Sequence, residues 1–187
     1  MQKLVYLLTV SLCTFSFSAC KQHDEGATQL GGIDSLQTEL SKLEKMFAEI
    51  KPNEVATISS TIDADIDSAY TLCEKTNVKL TEEEGTFFGR YQALKSSLKK
   101  FDSRHKTIEE QLALTKQQLA NLKAFSENEK VDKVALAKYT TDETVALEKL
   151  TAAVEQMHGS AVYVRESYSE FRPQLLTKLT ELSKRKK

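Results

Sequence analysis

Between Phe87 and Leu122 the chain repeats one rhythm without a miss. Steps of four and three residues lead through Tyr91, Leu94, Leu98, Phe101, His105, Ile108, Leu112, Thr115 and Leu119. Alternation of this kind lays one stripe along an α-helix and is the signature of a packed seam between helices. Thr81 followed by Glu82, Glu83 and Glu84 forms a capping box at its start, and the acidic first turn opposes the positive end of the helix dipole. No proline interrupts the run, which predicts one helix over 82–126, about 65 Å long at 1.5 Å per residue. A rod with a single buried stripe needs partner helices along its whole length.

Two further seams supply them. The first passes through Ile33, Leu36, Leu40, Leu43, Phe47 and Ile50, stops at Lys51-Pro52, and resumes one residue out of phase at Val55, Ile58, Ile62, Ile66, Ala69 and Cys73. Proline lacks the backbone donor and clashes with the preceding turn, and a one-residue slip rotates the stripe by about 100°, so Pro52 marks a break. The other runs through Leu147, Leu150, Val154, Met157, Ala161, Val164, Tyr168, Phe171, Leu175, Leu179 and Leu182, with Pro173 expected to kink it near its end. Thr140-Thr141-Asp142-Glu143 reads as the capping box that starts it, and 127–139 as a separate short helix carrying Val131, Val134 and Leu136 across the tip.

Arms over 33–79, 82–126 and 142–186 are nearly equal. The expected fold is therefore all-α, an elongated antiparallel bundle of three long arms with coiled-coil-like heptad packing and the first arm broken at Pro52. Two alternatives stay open: a hairpin at Pro52 giving four or five unequal helices, and an extended coiled-coil dimer. Six Gly, two Pro and no Trp argue against a turn-rich β-sandwich or a glycine-loop nucleotide enzyme. Lys plus Arg number 26 against 27 Asp plus Glu, which lacks the positive excess of a nucleic-acid binder. Lys3 and the tail Lys184-Arg185-Lys186-Lys187 hold five of those cations, so the near-neutral total conceals an acidic body with a basic end.

The N-terminus differs from the rest. Lys3 is followed by the apolar stretch Leu4 to Leu12 and by small and polar residues leading to Phe17-Ser18-Ala19-Cys20. The stretch is too short for a permanent span, which takes roughly 20 apolar residues, and has the layout of an export signal. Ser18-Ala19-Cys20 resembles the lipobox of bacterial lipoproteins, departing from it at Phe17, where Leu is usual. The resemblance implies cleavage before Cys20 and a covalent lipid on Cys20. The expected organisation is a lipoprotein signal peptide over 1–19, a lipidated Cys20 and flexible tether over 20–32 holding Gly26, Gly31 and Gly32, and the helical domain over 33–187. Lys21 in place of Asp after the cysteine, and the charged Asp24-Glu25, match outer-membrane sorting and are similar to surface-export signals. With Cys13 removed and Cys20 acylated, Cys73 is the remaining thiol, on an apolar stripe where a small hydrophobe fits. Taken whole, the chain resembles the small helix-rich lipoproteins of Bacteroidetes, a likeness of architecture that carries no activity residue.

Chemistry-bearing patterns are few. Asp63, Asp65, Asp67 and Glu74 fall at positions 1, 3, 5 and 12 of a calcium loop, but Ser68 replaces the glycine that permits the sharp turn. The same residues lie inside a helical rhythm that points Asp65 away from the other two, which makes a solvated acidic face the expected reading and calcium a weak candidate. His105 occupies a seam position, where a hydrogen bond within the bundle is expected, and His158 has no ligand partner at metal spacing. Gly85 and Gly89 have the spacing of close helix approach. Folding back three arms should gather Tyr70, Phe87, Phe88, Tyr91, Tyr168 and Phe171 near one tip, as an aromatic-capped core or as a partner-binding groove, with Phe88 lying off the main seam.

These readings converge on a non-enzymatic protein with no cofactor, anchored in the outer membrane through lipid, serving as a spacer, scaffold or interaction module for another envelope protein. The alternative is a periplasmic carrier or chaperone-like protein holding an apolar client between its arms.

Overall fold

The computed structural model describes residues 25–128 and 130–185, with side chains from Gly32 onward. The stretch read as a signal peptide, Cys20, the start of the stretch read as a tether, and Lys186-Lys187 lie outside the described residues. Five α-helices follow one another: α1 Glu25–Ala48, α2 Pro52–Thr76, α3 Glu82–Ala93, α4 Phe101–Ser126 and α5 Lys133–Lys184, with a 3-10 turn over Leu94–Leu98 between α3 and α4. The described residues form an all-α helical bundle of three arms. The first is α1 with α2, the second α3 with α4, and the third the 52-residue α5, about 78 Å long.

Ion pairs between the arms report their directions. As the first arm ascends through Asp34, Glu44 and Asp63, its partners on the second descend through Lys123, Lys116 and Lys95. As it passes Glu49, Glu54 and Asp65, its partners on α5 ascend through His158, Arg165 and Arg172. The topology is up-down-up, and Pro52 is a break within a continuing arm rather than a hairpin. Pro52 opens α2, where its missing donor costs nothing, and Lys51 before it is extended at φ −95°, ψ 90°, as a residue preceding proline prefers. The bend keeps Ile50 buried, and both stripes of the first arm face the core.

Four local expectations are corrected. Helix α1 begins at Glu25, so its backbone extends into the stretch read as tether, and Gly32 lies beside Thr140 of α5 with room for a side chain. The second arm is not one helix. A 3-10 turn, then Lys99 extended and Lys100 at φ 59°, separate α3 from α4, although Leu94, Leu98 and Phe101 all stay buried. Five residues at about 120° rather than 100° each swing the stripe by about 100°, the size of the slip at Pro52. The two breaks lie at one level, because Val55 and Asp63 of α2 border the same groove as Leu98 and Phe101.

The third arm starts earlier than the second Thr-rich capping pattern suggested. Asp132 caps α5 by accepting from the N–H groups of Val134 and Ala135, at 2.9 and 3.3 Å, so the helix is already formed at Thr140. There the hydroxyls of Thr140 and Thr141 donate to carbonyls four residues back instead of capping. Helix α5 then continues through Pro173 to Lys184. Finally, a Cβ added at Gly85 or Gly89 would meet nothing within 4 Å, so the glycine pair marks open surface and not close helix approach.

The turn between α2 and α3 follows its sequence closely. Asn77 takes the left-handed conformation at φ 50°, and the N–H of Val78 reaches the Cys73 carbonyl at 3.1 Å. Thr81 and Glu84 then form the expected capping box, with the Thr81 N–H donating to the Glu84 carboxylate at 2.9 Å and the Glu84 N–H to the Thr81 hydroxyl at 3.3 Å. Ile33, Leu122 and Leu136 close the opposite end of the bundle.

Candidate functional site

The seams place most aromatic tip residues together. Phe87 packs edge-on against Phe88 with centroids 5.9 Å apart and against Phe171 at 5.7 Å, and Tyr91 stacks on Tyr168 at 6.4 Å. Tyr70 does not join them. It is 56% exposed on the outer side of α2, one residue past the buried Ala69. The order of Phe87 and Phe88 is also the reverse of that expected. Phe88 is buried in the core and Phe87 only half-buried, because the stripe of α3 passes through Glu84, Phe88 and Tyr91. Cations cover the outward rings, Arg90 over Phe171 at 5.6 Å, Lys178 over Phe87 at 5.2 Å and Arg172 over Tyr168 at 5.7 Å.

Beneath the rings lies a polar brace that joins all three arms. The Tyr91 hydroxyl donates to Oδ2 of Asp65 at 2.7 Å, and Nε of Arg172 donates to the same oxygen at 3.2 Å. Asp65 is buried, which corrects its assignment to a solvated acidic face. Its helix continues without a calcium turn: Asp63 pairs with Lys95, while Asp67 and Glu74 are exposed. The four calcium candidates do not converge, and no cluster of ligating side chains suited to a metal occurs among the described residues. Burial and then the hydrogen bond to Asp65 push the Tyr91 phenol far above its ordinary range, so it stays a donor at any physiological pH. With Tyr91 wholly enclosed, this hydroxyl braces the bundle and meets no group arriving from solvent.

A second cluster caps the same end. Arg185 grips the Glu84 carboxylate with both terminal nitrogens, one at 3.0 Å from Oε2 and the other in close contact with Oε1. The first cation after α5 in the basic tail is thus held against the bundle. The Arg185 guanidinium, assisted by the Thr81 cap, holds the Glu84 carboxyl below its ordinary value despite burial. Nearby Cys73 packs half-buried against the core, and burial together with the Glu84 charge pushes its thiol up, away from the reactive thiolate. His105 stacks on Phe47 with centroids 4.4 Å apart and on Phe101 at 6.5 Å, so ring contact is the role the structure assigns it. His158 lies 3.2 Å from Glu49.

Comparison with family models, curated protein sequences and solved structures finds no match to this chain. Its functional reading therefore rests on its own residues. Sequence reasoning missed Asp65 and Glu84 as buried anchors, although a signal was present. Ile58, Ile62, Asp65 and Ala69 keep the four-three spacing, although the seam position was assigned to Ile66, and Glu84, read as part of the capping box, keeps the same spacing with Phe88 and Tyr91.

Proposed function

We propose that this chain is a non-enzymatic, lipid-anchored helical spacer and protein-interaction module of the cell envelope, held at the outer membrane through acylated Cys20. The single observation that supports this reading is the up-down-up topology. It sets the first turns of the domain, near Ile33, and its last described residue, Arg185, at opposite ends of a rod spanned by α5. A lipid ahead of α1 would then leave the Arg185 end standing about 78 Å from the anchored end. The carrier alternative receives less support. The groove between α1 and α5 carries Leu43, Met46 and Ala152 but also Glu39, Lys42, Glu148 and Glu155, four charged side chains that an apolar client would have to desolvate.

The test is fractionation of bacterial cells expressing the full chain or its Cys20→Ser variant. The expected result is metabolic labelling by a fatty acid and a membrane-bound parent, with both lost in Cys20→Ser. A parent chain that carries no lipid and stays in the soluble fraction overturns the reading.

A further inference from the structure

Helices α4 and α5 border a groove that their own side chains do not fill. It measures 520 Å³ and is lined by Gln111, Leu114, Gln118, Asp142, Val145 and Lys149 among others. Leu114 is 55% exposed, Val145 44%, and beyond the groove Phe125 and Tyr139 pack edge-on at 6.0 Å while remaining 37% and 49% exposed. The bordering face of α4 carries Gln111, Leu114, Gln118, Asn121 and Phe125 without a charge, while Lys116 and Lys123 on the same stretch of α4 pair with α1. An outward helix face normally carries charge. An uncharged face with large apolar side chains standing free is suited to contact with another protein surface.

We infer that this face is the interface of a two-fold symmetric dimer, with a second copy of this chain as its occupant. The charges choose the partner. Asp142 and Lys149 sit seven residues apart on α5, flanking Val145, so an antiparallel copy of α5 sets each Asp142 against the partner's Lys149 and each Val145 near the partner's Val145. The apolar residues of α4 obey the same symmetry. Phe125 beside Tyr139 fixes the level of α4 against α5, and by that offset the midpoint of Leu114 and Phe125 falls within about one residue of the midpoint of Asp142 and Lys149. One two-fold axis therefore satisfies both helices, placing Leu114 against the partner's Phe125 and the reverse. An isologous interface requires this reciprocity, and an unrelated partner does not. From Gln111 to Phe125 the strip is about 21 Å long and two helices wide, about 400 Å² per copy, half of what a stable dimer buries, so the association is weak and concentration-dependent. The inference concerns self-association alone and does not depend on lipidation or on the side of the membrane.

The experiment introduces Val145→Cys into the full chain in expressing cells, with Tyr163→Cys, exposed elsewhere on α5, as the control. Oxidation or a short bismaleimide is expected to give a species of twice the chain mass with Val145→Cys, and little with Tyr163→Cys or the parent. A single chain throughout, equal yields from both sites, or capture of a different protein by Val145→Cys each overturns the proposal. Charge reversal supplies the second measurement in the Val145→Cys background. Asp142→Lys alone sets like charges together twice and lowers the crosslinking yield about tenfold, and adding Lys149→Asp restores it. Failure of the double variant to recover excludes the reciprocal pairing.

Discussion

Arg185 and Glu84 lie 101 residues apart in sequence, yet the guanidinium of the first closes on the carboxylate that completes the capping box of α3. One buried acid thereby serves two ends, the start of the second arm and the finish of the third. Removing Arg185 by Arg185→Ala is expected to lower the thermal midpoint and to leave Cys73 more accessible to thiol reagents. The pH sense follows from the lowered Glu84 value. A carboxyl held below its ordinary 4.5 stabilises the fold fully above that value and loses the contribution as pH falls through the folded value. Melting curves of the parent should therefore fall more steeply in acid than those of Arg185→Ala. Equal slopes reject the clamp.

The two adjacent phenylalanines of α3 should behave oppositely to their seam assignment. Phe88→Ala empties a core position and is expected to cost about 3–5 kcal/mol, against about 1 kcal/mol for Phe87→Ala at the half-buried rim. Urea denaturation of both variants decides it, and comparable losses contradict the packing of α3.

The brace around Asp65 is expected to show strong coupling. Tyr91→Phe removes one buried hydrogen bond, for about 1–2 kcal/mol, whereas Asp65→Ala strands both the Tyr91 hydroxyl and the Arg172 guanidinium and costs about 3 kcal/mol. The double variant should lose less than the two single losses combined, and strict additivity denies the network. Because the folded Tyr91 value lies above the ordinary 10.0, its contribution is complete below pH 10 and fades as pH rises toward the folded value. Ultraviolet titration should show one tyrosine that ionises only as the bundle unfolds.

Glu143 offers a gain in stability. One of its carboxylate oxygens is buried with no hydrogen-bond partner among the described residues, and burial and then the Asp142 charge push its carboxyl above the ordinary range. Glu143→Leu is expected to stabilise the bundle by about 1 kcal/mol at neutral pH, and the gain should shrink in acid, where the parent side chain is neutral. A destabilised variant places an unseen partner on that oxygen.

Spin labels at the exposed Glu39 and Tyr70 distinguish a bent arm from a hairpin at Pro52. A continuing arm sets them about 45 Å apart, while a hairpin brings them under about 20 Å. Pulsed distance measurement reads the two outcomes directly.

Much of this architecture was legible before any coordinate. The heptad spacing of Leu36, Leu40, Ile58, Ile62, Leu147 and Val154 dictates helices with one buried side, and every one of these residues is buried. The Thr81 cap was legible too, since it depends on groups only three residues apart. The break over Leu94–Lys100 was not, because the four-three spacing runs through it unchanged and neither Gly nor Pro marks it. Nor was the candidate tip read correctly at Tyr70 or Phe88, where a one-residue choice of stripe separates core from surface.

Local spacing alone, then, establishes that this chain makes long amphipathic helices and where α2 and α3 begin, because capping and helical periodicity act over one or two turns. Which stripe faces which arm is a different question. That Pro52 bends an arm instead of reversing it, that Asp65 and Glu84 are buried anchors, and that Arg185 has a partner were decided by packing between residues about a hundred positions apart. A buried charge is tolerated only where a distant cation arrives to meet it, and that arrival is a property of the assembled bundle.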